Sequence, residues 1–143
     1  MNNDTKNLLK ECNSGIQMGV SAIEQLLPHV NDTQLRKIID ESRWEHIELG
    51  NQTHKILNQS GEPIDAPSPM AKTMSKLKIS TQYALNSDDS EIADLLTDGC
   101  NMGVKSINKY LNQYTNARTD VKNIAIGLVN LEEKLADNLR KYL

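Results

Sequence analysis

A six-residue stretch occurs twice in this chain. Gly15-Ile16-Gln17-Met18-Gly19-Val20 returns 84 positions later as Gly99-Cys100-Asn101-Met102-Gly103-Val104, and the echo extends to Ile23/Ile107 and Leu27/Leu111. A repeat of this kind constrains the fold strongly, because each copy must belong to the same type of structural unit. Around both copies apolar residues recur in steps of three and four, the spacing of one helix face. The stretches that follow also match, at an offset of 86: Leu35/Val121, Ile38/Ile124, Leu49/Leu135 and Leu57/Leu143. The chain therefore reads as two repeated helical hairpins, over about 4–59 and 89–142, the second turn being two residues longer.

Punctuation places the ends of the elements. A first helix over 4–27 stops at Pro28, which cannot continue it. Asn31 or Asp32 can cap a second helix over 33–59, and Gly61 reads as its C-terminal cap. A proline-containing linker follows, then a short extra helix over about 69–85 in the crossover, with Ser68 at its N-cap and Pro69 at its first position. Asp88 with Glu91 three residues later has capping-box spacing and opens a helix over 89–114. Thr115-Asn116 turns the chain into a last helix over 117–142. The expectation is an all-α chain folded as a single domain over 1–143.

With no Phe, one Trp and four Tyr, the core of such a bundle must be aliphatic. The net charge of −3 argues against a nucleic-acid or anionic-membrane partner, since both favour a basic surface. No apolar run approaches the roughly 18 residues of a membrane span, so the glycine spacing is not a membrane-dimer motif. The first residues lack a basic stretch followed by an apolar run, which leaves a cytoplasmic location as the expectation. Cys12 and Cys100 fall on apolar helix faces without Cys-x-x-Cys spacing and read as small buried hydrophobes.

Two helix pairs joined by a long crossover resemble the ferritin-like superfamily. With the linker from Pro67 to Lys72 and the repeated Met-Gly-Val, the chain is more narrowly similar to uncharacterised ferritin-like bundle proteins of Gram-positive bacteria. The superfamily resemblance implies a ferritin-like four-helix bundle and raises the question of a di-iron site, which needs a Glu from one helix of each pair and Glu-x-x-His from the other. No Glu-x-x-His exists here. Leu26, Arg43 and Asn51 stand three residues before His29, His46 and His54, and the mid-helix inward positions are Gly15, Gly19, Gly99 and Gly103.

Register fills in the middle layer. Counting from the two turns, His46 is level with Ile16 and Glu132 with Gly99 and Cys100, and the two are equivalent at the 86 offset. Both interrupt otherwise apolar stripes, and a buried carboxylate must be paired or protonated. A His46–Glu132 pair beside a notch of four glycines is expected, the glycines letting the first and fourth helices come close and leaving room for the pair. A sharper alternative makes His46, Glu132 and Glu45 ligands of iron, manganese or zinc, in a metal-binding or redox protein with a degenerate site. Nothing supplies a nucleophile or an oxyanion hole, so no catalytic residue and no cofactor are expected. A small-ligand site at the glycine notch is a third possibility. Trp44, opposite the apolar stripe of its helix with Ile47 at the edge, marks a candidate homodimer interface. His29 and His54 read as surface residues. The leading expectation is a non-catalytic bundle of unknown role that acts through protein association.

Overall fold

The computed structural model of the chain describes residues 1–61 and 86–143. Four long helices carry the fold: α1 (Asn3–Leu26), α2 (Thr33–Ser60), α3 (Asp89–Gln113) and α4 (Thr119–Leu139). One-turn 3-10 segments follow α1 (Leu27–His29) and α4 (Arg140–Tyr142), and there is no strand among the described residues. α1 packs along α2 and α3 along α4; α2 rests on α4, and α1 touches both α3 and α4. The architecture is an all-α four-helix bundle. The expected helix over 69–85, and the linker from Pro67 to Lys72, lie outside the described residues.

Helix ends follow the expected chemistry, with one shift. Asp32 caps α2 by accepting the Leu35 amide at 2.8 Å, Asp88 caps α3 by accepting the Glu91 amide at 2.8 Å, and Asn2 caps α1 through the Thr5 amide. Pro28 sits in the 3-10 turn that closes α1, and Gly61 ends α2 at φ 71°, where a Cβ would be strained. The last helix begins at Thr119 rather than 117, because the Ala117 amide is spent on the Tyr114 carbonyl and the Arg118 amide on Thr5 Oγ1.

Each turn between paired helices is tied to the start of a helix in the other pair. Asp89, the first residue of α3, accepts the Asn31 and Asp32 amides at 2.8 Å each, through its two oxygens. At the opposite end of the bundle Asp4 accepts the Asn116 amide at 2.9 Å and Thr5 accepts the Arg118 amide at 2.9 Å. These side chains satisfy amides at turn positions that no helix partner serves.

The aliphatic core is divided in two. One cluster holds Leu8, Leu9, Cys12 and Ile16 of α1 with Leu57, Ile107, Val121 and Leu128; the other holds Ile23 and Leu26 with Leu35, Ile39, Ile92, Leu96, Leu135 and Leu139. Along every helix the break falls at the same level: Gly19 on α1, His46 on α2, Gly103 on α3 and Glu132 on α4. The turn ties fix how the two pairs are set against each other at this level. Replacing Asp89 by Ala removes both acceptors of the first turn and is expected to lower the unfolding free energy by about 1–2 kcal/mol in chemical denaturation. A change within error would show that the tie is incidental.

Candidate functional site

The layer between the two core clusters holds a buried polar pair. His46 is 1% exposed and Glu132 8% exposed, so neither group has water to solvate a charge. Their proximity answers that need: His46 Nε2 and Glu132 Oε1 lie 2.5 Å apart, across α2 and α4. The other ring nitrogen settles the proton count. Nδ1 lies 2.7 Å from the carbonyl oxygen of Ser42, one turn back on α2. A carbonyl can only accept, so Nδ1 carries hydrogen and donates. In the neutral ring Nε2 then has no hydrogen, and the short contact to Oε1 contains one proton from either side. The pair is imidazolium with carboxylate or imidazole with carboxylic acid, and is neutral overall in both forms.

Burial alone would lower the affinity of the His46 ring for its proton. The hydrogen bond and charge of Glu132, helped by the Ser42 carbonyl and the charge of Glu45, outweigh burial and leave the ring raised above its ordinary value of about 6.5. Cys100 on α3 joins the layer. Its thiol is held in the protonated state by burial first, and then by the negative charge of Glu132. Cys12, deep in the neighbouring apolar cluster, is pushed up to about 12 by burial and by the adjacent Glu11. Both thiols are free and buried, which makes them poor nucleophiles.

The glycines fit around this pair. A Cβ on Gly19 would stand 2.8 Å from His46 Nε2 and 2.9 Å from its Cδ2, inside any normal contact. A Cβ on Gly103 would stand 3.5 Å from Glu132 Cγ and 3.6 Å from its carboxyl group, in ordinary contact. On Gly99 it would meet nothing within 4 Å. Close approach of the two glycine-bearing helices is therefore not what Gly19 and Gly103 serve: the neighbours a side chain would meet there are His46 and Glu132. Between α1 and α3 the glycines, Gly15 included, leave a cleft of about 70 Å³ whose lining includes His46, Glu132 and Cys100.

Other predicted site residues lie elsewhere. Glu45 is not brought beside Glu132. Its carboxylate meets Lys134 Nζ at 3.0 Å, with 39% of the side chain exposed. Among the described residues no group of three or more His, Cys, Asp and Glu side chains is gathered as a metal would require. Trp44 is 58% exposed on α2, with the Arg43 guanidinium 4.7 Å from its ring centroid, and Ile47 is half-buried. His54 is not a free surface residue: it is half-buried, with Nε2 3.0 Å from Asn13 Oδ1. No described helix is long and apolar enough to cross a membrane.

Sequence reasoning set Cys100 and Glu132 at the same level, and both line this cleft. It missed the buried Glu11, Asn13 and Ser14 on α1, whose polar character interrupts the apolar steps without showing which way they face.

Among solved structures the chain is similar to one described as the crystal structure of a DUF305 fragment from Deinococcus radiodurans, with a TM-score of 0.71 and 13% identity, over 98% of this chain and 95% of that one. At that identity the likeness speaks for the fold alone. No family model and no curated protein matches the sequence.

Two predictions follow the geometry. Gly19→Ala forces a methyl group against an imidazole pinned at both nitrogens and is expected to destabilise by about 1–3 kcal/mol. Gly99→Ala enters open space on the same cleft and is expected to stabilise by about 0.5–1 kcal/mol through helix propensity. Equal effects in denaturant titrations would contradict the packing account. The second concerns pH. The groups acting on His46 are Glu132 from α4 and Glu45 from its own helix; α3 brings the neutral Cys100 thiol to the pair and α1 the uncharged Gly19. Because the folded ring holds its proton more tightly than the unfolded one, the added stability is full below about pH 6.5 and is lost as pH rises through the raised folded value. The melting temperature should fall on this alkaline side, and the fall should flatten in Glu132→Gln. Parallel pH profiles for the two proteins would reject this linkage.

Proposed function

We propose that the protein is a ferritin-like bundle of two repeated hairpins, forming one domain over 1–143, that is non-catalytic and acts through association, as a homodimer, in the cytoplasm. The turn ties support the repeat. Thr5 and Asp89 are 84 apart, Asp32 and Arg118 are 86 apart, and the Arg118–Thr5 and Asp32–Asp89 bonds are counterparts under those two offsets. Gly19 against His46 and Gly103 against Glu132 are counterparts under the same offsets. The likeness to the DUF305 fragment supports the bundle architecture.

The waist does not fit the di-iron centre that the ferritin-like resemblance implies. Glycines stand where bridging carboxylates would be needed, the one buried imidazole is committed at both nitrogens, and Glu45 faces Lys134. The same facts weigh against the degenerate iron, manganese or zinc site of His46, Glu132 and Glu45. The free buried thiols are compatible with a reducing compartment.

The observation that carries association is Trp44. A large indole stands 58% exposed, and the side chain stacked on it is itself anchored: Arg43 pairs with Asp40 at 3.1 Å and Glu24 at 3.4 Å. An ordered aromatic loses less conformational freedom on binding than a free one, which is how interface anchors work. Trp44→Ala is expected to shift the mass in light scattering from dimer to monomer with the helical spectrum unchanged. A mass unaffected by the substitution would reject the interface. Stoichiometric iron, manganese or zinc in protein purified without added metal, lost in His46→Ala, would overturn the non-metal reading.

A further inference from the structure

The cleft at the waist has walls, a floor and a mouth. Apolar side chains and bare glycine backbone form the walls, and the His46–Glu132 pair forms the floor. Gly99 lines the cleft and is exposed, and a Cβ there would meet nothing within 4 Å, so the cleft opens beside Gly99 on α3. At the floor the two partners differ in access: 1% of the His46 side chain is exposed against 10% of that of Glu132. Whatever enters meets the carboxyl group. Its Oε1 faces His46, while Oε2 lies 3.6 Å from where a Gly103 Cβ would stand. A carboxylate has about four acceptor positions, and His46 occupies one of them.

We propose that this cleft between α1 and α3 binds the hydroxyl end of a short aliphatic alcohol, its chain along the apolar walls and its O–H donating to Glu132 Oε2. The floor chooses the head group. Carboxylates and phosphates would add an anion to a pair that is neutral overall, and an ionised oxygen has no hydrogen to donate to Glu132. An ammonium group would add a cation to a pair that is already neutral, leaving net charge in an apolar site. A hydroxyl supplies the donor without the charge. The volume chooses the chain. About 70 Å³ is roughly half the engineered cavity that holds benzene, so about three or four carbons fit, with any longer tail leaving by the mouth.

The test is an NMR titration of the ¹⁵N-labelled full chain, read at the Gly19 and Gly103 amides, with 1-propanol, 1-butanol, butyrate and butylammonium. Both alcohols should give saturable shifts, 1-butanol binding about four-fold more tightly for its extra methylene. Butyrate and butylammonium should bind at least about ten-fold more weakly than 1-butanol. Gly99→Leu fills the mouth at a position with open space and should abolish the saturable shifts, with circular dichroism confirming the fold. Alcohol shifts that stay linear, tighter binding of either ion, or undiminished saturation in Gly99→Leu would each overturn the proposal.

Discussion

A proton held between His46 Nε2 and Glu132 Oε1 is the contact on which the middle of this bundle depends. Two ionisable groups nine-tenths or more buried would each be costly alone, because desolvation of a charge exceeds what packing around it returns. Together they form a neutral unit. The outer valence of the ring is also met, because the Ser42 carbonyl takes the Nδ1 hydrogen. Neither His46 nor Glu132 can be exchanged alone for an aliphatic side chain without leaving the other buried and unpaired, whereas the Ser42 acceptor is a backbone carbonyl that any residue there supplies. The pair joins α2 to α4 at one level of the bundle.

That bond also accounts for the glycines. In a helix each glycine costs about 1 kcal/mol against alanine, so repeated glycines call for a local reason. At Gly19 the reason is the imidazole edge, less than a normal contact distance from any Cβ there. At Gly103 it is milder, and at Gly99 there is no steric reason at all. The repeat is therefore uneven in its physical work. Its first copy seats the histidine, and its second opens the cleft that reaches the carboxyl group.

Much of this was legible in the sequence because helical periodicity and capping are local. The steps of three and four along α1 to α4, Asp32 and Asp88 at their caps, and Gly61 at a positive φ all depend on neighbours within one turn. The level of His46 and Glu132 followed from counting outward from two short turns. What could not be read was direction about the helix axis for polar residues at stripe edges. Glu45 lies next to His46 in sequence but turns to Lys134, and His54 turns inward to Asn13.

The central claim is the protonation of the waist, and ¹⁵N NMR of the His46 ring tests it most directly. The account predicts a hydrogen on Nδ1 throughout the neutral range and a ring that titrates above about 6.5. A neutral ring with its hydrogen on Nε2, or titration below that value, would contradict it, because the Ser42 carbonyl and the Glu132 carboxyl group would then not be bonded to the ring as the structure has them.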